Sequence, residues 1–89
     1  MTIARRLSIH GRVQGVFYRE WTVQNARELG LAGWVRNEAD GTVAAHLEGE
    51  EAAVKAMIGR MRRGPPRARV DRIEEQAVAA KGLSGFERR

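Results

Sequence analysis

His10-Gly11-Arg12-Val13-Gln14-Gly15-Val16-Phe17-Tyr18-Arg19 stands between two stretches of different periodicity. Before it, Ile3, Leu7 and Ile9 are spaced around Arg5, Arg6 and Ser8, and the alternation predicts a first strand over Ile3–Ile9. After it, Glu20 to Leu29 follows a helical pattern in which Tyr18, Trp21 or Thr22, Asn25 or Ala26, and Leu29 fall on one face. Gly30 is the expected residue just past the helix end, with Leu31 able to pack beyond it. A strand that turns into a helix through two glycines four positions apart is a place where backbone N–H groups can converge. The helix start adds its own unpaired N–H groups and the positive end of its dipole. Such a junction is a cradle for an anion, and phosphate is the commonest one. Arg19 in the first helical turn could close the cradle with two parallel hydrogen bonds. The spacing excludes a G-x-G-x-x-G dinucleotide loop, and no Gly-Lys-Ser/Thr follows for a nucleoside-triphosphate loop.

The remaining elements follow from their own patterns. Gly33-Trp34-Val35-Arg36 predicts a short second strand, and Asn37-Glu38-Ala39-Asp40-Gly41 a turn. Thr42 to Glu48 predicts a third strand, with Val43, Ala45 and Leu47 on one face and Ala44, His46 and Glu48 on the other. His46 then belongs to a polar or partly covered face. Val54, Met57, Ile58 and Met61 place a second helix over Glu50–Arg63, stopped by Gly64-Pro65-Pro66. The methionines there read as core filler. Ala68–Val78 contains a fourth strand centred on residues 70–73, residues 79–85 read as a loop, and Phe86 with its neighbours can add a short last strand. The order βαββαβ with a C-terminal extra predicts an α+β, ferredoxin-like sandwich: an antiparallel sheet with both helices on one face.

Composition narrows the chemistry. The chain has 89 residues, a length that predicts a single domain over 1–89. Its hydrophobic (43%) and charged (30%) fractions are those of a globular protein. There is no cysteine, which removes disulfides, thiolate metal sites and cysteine nucleophiles. With no long apolar run, neither a signal peptide nor a membrane span is expected, and the cytoplasm is the default. The net charge of +5 suits a phosphate-bearing partner. Six arginines between positions 60 and 72 read first as a solvated face. His10, at the end of the first strand, reads as a packing or edge residue.

The residues from Gly11 to Arg19, then Gly30-Leu31-Ala32-Gly33-Trp34-Val35-Arg36-Asn37 and Asp40-Gly41-Thr42-Val43, resemble the acylphosphatase family. Gly64-Pro65, Ala68-Arg69-Val70 and Gly85-Phe86-Glu87-Arg88 are similar to later landmarks of the family, so the resemblance spans nearly the whole chain. It implies hydrolysis of acyl phosphates to a carboxylate and phosphate, without a metal or other cofactor. The family's phosphate-binding arginine falls on Arg19 and its water-orienting asparagine on Asn37. Its backbone-amide cradle falls on Gln14, Gly15, Val16, Phe17, Tyr18 and Arg19. The resemblance also implies that the substrate's own phosphate takes the proton of the attacking water. Two positions depart from the pattern: Glu38 stands where the family often has threonine, and Arg88-Arg89 where many relatives have an aromatic end. The expected partner is a small acyl phosphate, with no nucleic acid and no membrane, and the expected state is a monomer. Two alternatives keep the fold and lose the turnover. One is a phosphate or carbamoyl-phosphate binding module. The other is an RNA-binding sheet, which the lack of aromatics on the central strands disfavours.

Overall fold

The computed structural model describes residues 1–89. Seven elements follow one another: β1 (Thr2–Arg12), α1 (Tyr18–Glu28), β2 (Ala32–Asn37), β3 (Val43–Glu50), α2 (Glu51–Arg63), β4 (Arg69–Val78) and β5 (Phe86–Arg88). They form one five-stranded sheet in the order β4-β1-β3-β2-β5. β1 pairs antiparallel with both β3 and β4, and β2 antiparallel with β3. The short β5 adds to β2 in parallel, so the sheet is mixed at that edge. Neither helix is long and apolar enough to cross a membrane.

Register explains the layering. Leu7 lies opposite Ala45, Ile9 opposite Val43, and Val35 opposite Ala45, so these side chains share one face. That face meets Val23 and Ala26 of α1 and Val54, Met57, Ile58 and Met61 of α2 in a single buried cluster. Each large aliphatic side chain buried there contributes roughly 1.5–3 kcal/mol. The helical spacing read from positions 54 to 61 is therefore the packing seam of α2.

Three expectations change. First, β1 does not stop at Ile9 but continues through Arg12, with a bulge between His10 and Gly11. Gly11 thus belongs to the sheet and not to the cradle. A Cβ on it would stand 2.1 Å from the Arg69 carbonyl oxygen, so glycine is required by the close approach of β4. Second, Asn37 is the last residue of β2 rather than the first of a turn. Third, His46 is fully buried. Its Nε2–H donates to Glu48 Oε1 at 2.8 Å, and Trp34 stacks over it with ring centroids 6.2 Å apart. Glu48 also accepts the N–H groups of Lys81 and Leu83. The chain between β4 and β5 has to pass from one edge of the sheet to the other, and these bonds pin it across the face opposite the helices. Burial drives the Glu48 carboxyl upward, but His46 and the two N–H donors more than offset it and hold the carboxyl below its ordinary 4.5.

Candidate active site

The cradle begins where β1 ends. Val13, Val16 and Tyr18 are buried and anchor the turn in the core, while Gly15 and Phe17 face outward. Gly15 (φ 73°) and Phe17 (φ 70°) both take the left-handed conformation. No acceptor in the chain takes the backbone N–H groups from Gln14 to Phe17. Tyr18, Arg19 and Glu20 open α1, where the first N–H groups have no intrahelical partner. The first helical bond runs from Trp21 N–H to the Phe17 carbonyl, at 3.1 Å, and no side chain caps the helix. A run of free donors therefore ends at the positive pole of α1, an arrangement suited to an anion.

Val13, Gly15, Phe17, Tyr18, Arg19, Glu20, Asn37 and Arg88 line a cavity of about 180 Å³ at this junction. Arg19 donates one N–H to the Arg89 carbonyl at 3.1 Å, which orients the guanidinium and leaves other donors unused. Asn37 lies opposite Val43, so its side chain is on the helix-bearing face of the sheet, at the end nearest the cradle. Its Oδ1 is buried without a hydrogen-bond partner. A buried acceptor left free beside a run of free donors is what a bound polar molecule would satisfy. Arg19 and Asn37, 18 positions apart in the sequence, thus line one cavity with the amides of residues 15 and 17–19.

Two contributors were not read from the sequence. The Gln14 side chain, not only its amide, belongs to the site. Its Nε2 donates to the Glu38 carbonyl at 2.8 Å and to the Thr42 carbonyl at 2.9 Å, tying the cradle to the β2–β3 turn that follows Asn37. Asp40 closes that turn by accepting the Thr42 hydroxyl and N–H at 2.7 and 3.0 Å, bonds that also hold its carboxyl below the ordinary range. Arg88 also lines the cavity, 4.0 Å from Glu20. A strand over Phe86–Arg88 puts Arg88 on the same face as the buried Phe86, and that alternation was the available signal.

Glu38 does not face the cavity. It pairs with Arg36 at 3.2 Å on the opposite face, so its charge is directed away from this cavity. His10 is a half-buried residue of the inner strand β1, opposite Arg72 of β4, and not an edge residue, and a carboxylate and a serine approach it. Glu74 and Ser8 both meet the same ring nitrogen, Nε2, at 2.8 and 3.3 Å, which cannot relay a proton as a triad does.

A family model described as acylphosphatase matches residues 5–88. The chain belongs to the acylphosphatase family. The acylphosphatase of Rhodospirillum rubrum is 60% identical over 78 residues, covering 88% of this chain and 86% of that one. The crystal structure of acylphosphatase from Bacillus subtilis superposes with a TM-score of 0.93 at 33% identity, covering 98% of this chain and 97% of its own. The acylphosphatase of Coxiella burnetii gives a TM-score of 0.95 at 32% identity, covering 99% and 93%. The family resemblance, read over nearly the whole chain, is matched by the fold.

Proposed function

We propose that this protein hydrolyses acyl phosphates to a carboxylate and inorganic phosphate, with Arg19 and the 14–19 amides holding the phosphoryl group and Asn37 holding the water. The observation that carries the reading is the cavity itself: free amides, a guanidinium and an unpartnered buried Asn37 oxygen around about 180 Å³. The chemistry asks for little more. The leaving carboxylate has a pKa of about 4 and departs without a general acid. Phosphoryl transfer then depends on positioning and on stabilising charge on the equatorial oxygens. Arg19 and the amides supply that stabilisation before the reaction begins. Asn37 Oδ1 accepts a hydrogen from water and orients it without removing the proton, which passes to a phosphoryl oxygen of the substrate. Glu20, the one carboxylate lining the cavity, faces Arg88. The chain exposes only two large apolar side chains, Met1 and Phe17, which supports a monomer as the working form.

The test is release of phosphate from benzoyl phosphate by the purified protein and by Arg19→Ala. Turnover is expected in the first and a loss of at least about 10²-fold in the second, with the fold retained. A folded Arg19→Ala protein with near-normal turnover would remove Arg19 from the site. Phosphate binding without any turnover in the parent protein would make the chain a binding module instead.

A further inference from the structure

We propose that the acyl half of the substrate lies in a groove beside the phosphate cavity, on Val16, Phe17, Pro65 and Pro66, and that Arg67 at its edge favours acyl groups carrying a second negative charge. The inference rests on the reading of the cavity as the phosphoryl site of an acyl phosphate hydrolase.

These five residues line a groove of about 400 Å³. Phe17 is shared: it borders both the groove and the cavity that holds Arg19 and Asn37. Asn37 borders only the cavity, and Pro65, Pro66 and Arg67 only the groove. An in-line displacement sets water and leaving group on opposite sides of phosphorus. With water at Asn37, the carboxylate departs on the side away from Asn37, and the groove is the neighbouring space that Asn37 does not border and that Phe17 joins to the cavity.

Phe17 itself needs an explanation. It is 61% exposed, the only large aromatic left open to solvent, and it holds a left-handed backbone that suits glycine or asparagine. An exposed aromatic kept on strained backbone at the lip of a site is a contact surface for a ligand. The opposite wall is rigid. Two prolines form it, and Ala68 N–H closes the turn onto the Pro65 carbonyl at 3.0 Å. The end of α2 that leads into this turn is tied to the start of α1, since Tyr18 OH donates to the Met61 carbonyl at 2.8 Å. Arg67 is free. Arg62, Arg69 and Arg72 each have a carboxylate within 4 Å, whereas Arg67 has none. An apolar floor with an unpaired guanidinium at its margin matches an acyl group with an apolar body and a distal anion.

The experiment compares kcat/KM for acetyl, benzoyl and 4-carboxybenzoyl phosphate in the parent protein, Phe17→Asn and Arg67→Gln, with the Ki of inorganic phosphate measured in each. The parent should prefer benzoyl over acetyl phosphate by at least about tenfold, the scale set by one apolar contact surface. Phe17→Asn keeps a side chain tolerated at positive φ and should erase most of that preference. Arg67→Gln should lower the ratio of 4-carboxybenzoyl to benzoyl phosphate by about three- to fivefold, as for an exposed ion pair. Equal kcat/KM for acetyl and benzoyl phosphate in the parent would overturn the groove. A ratio unmoved by Arg67→Gln, or a phosphate Ki that rises in step with KM in that variant, would overturn the role of Arg67. Absence of turnover with all three substrates would overturn the hydrolase reading itself, and the groove with it.

Discussion

Replacing Gln14 by alanine tests whether the cradle and Asn37 are kept in register by a side chain. The substitution removes the two hydrogen bonds from Nε2 to the Glu38 and Thr42 carbonyls. Each such bond contributes about 0.5–1.5 kcal/mol net. Neither acceptor is orphaned, because Glu38 keeps the Gly41 N–H at 3.2 Å and Thr42 keeps the Glu38 N–H at 2.9 Å. The full penalty for an unsatisfied carbonyl does not apply, and the two bonds together should cost about 1–3 kcal/mol. For a chain of this size that lowers Tm by very roughly 5–25 °C. The effect on catalysis should be the larger one. The amides stay in place, so inorganic phosphate should still bind, but the turn after Asn37 is no longer held. A misplacement of the order of 1 Å at the attacking water costs about 10²-fold. Gln14→Ala should therefore lower kcat by about 10- to 100-fold while the Ki for phosphate changes little. Gln14→Glu, of the same shape but unable to donate when ionised, should be no better. Steady-state kinetics with benzoyl phosphate and urea denaturation read both quantities. Normal kcat in a folded Gln14→Ala protein would refute the reasoning. A phosphate Ki that rises as far as kcat falls would mean that the side chain supports the cradle alone.

Other consequences can be measured in the same preparations. Tyr18→Phe should destabilise by about 1–3 kcal/mol in denaturant titrations, because the residue four positions after Met61 is Pro65, which has no N–H to replace the lost hydroxyl. Burial pushes the Tyr18 hydroxyl above its ordinary 10.0, so the stability it contributes is whole below pH 10 and is lost as the pH climbs beyond it. Tyr18→Phe should therefore show a shallower alkaline decline than the parent. Glu48 has the opposite sign: its carboxyl is held below 4.5, so its contribution is present above that value and lost as the pH falls through the lower folded value. Glu48→Gln should flatten the acid limb of a stability profile, and an unchanged limb would assign the acid sensitivity elsewhere. Acyl phosphates should be hydrolysed faster than alkyl phosphate monoesters by at least about 10²-fold, since no group is placed to protonate an alkoxide. Comparable rates across a leaving-group series would expose a general acid at Glu20, the carboxylate that lines the cavity.

What could be read in advance depended on whether the cause was local. The α2 seam at positions 54, 57, 58 and 61 and the turn of free amides that leads into α1 are properties of short stretches, and both were legible. Arg19 was singled out by its place in the first helical turn and again by the family pattern, Asn37 by the family pattern alone, and the fold adds that they line one cavity. The misread positions are those whose neighbour comes from far away. Gly11 looked like part of the cradle because nothing nearby says that β4 passes 2.1 Å from where its Cβ would be. His46 looked half-covered because Trp34, which stacks on its ring, comes from β2, and the loop that crosses this face to bond Glu48 has no periodicity of its own. The Gln14 side chain and Arg88 gain their places only when the β2–β3 turn and β5 come alongside.

The parallel addition of β5 to β2 has a consequence for how the protein behaves when it loosens. β2 carries Trp34 and Val35, both buried, and without β5 it would be an open edge of apolar sequence with unpaired backbone groups. Such an edge invites pairing with another chain. The opposite edge, β4, is guarded by its own charges: Arg69, Asp71, Arg72, Glu74 and Glu75 are all exposed. β5 is only three residues long, ends in charge, and is fastened by Arg27 to the Phe86 carbonyl at 3.1 Å and by Gly33 N–H to the Gly85 carbonyl at 3.0 Å. The same strand delivers Arg88 to the cavity. Fraying of this one strand would remove a guanidinium from the cavity and uncover the adhesive edge beside Asn37, so loss of activity and self-association would share a single opening event.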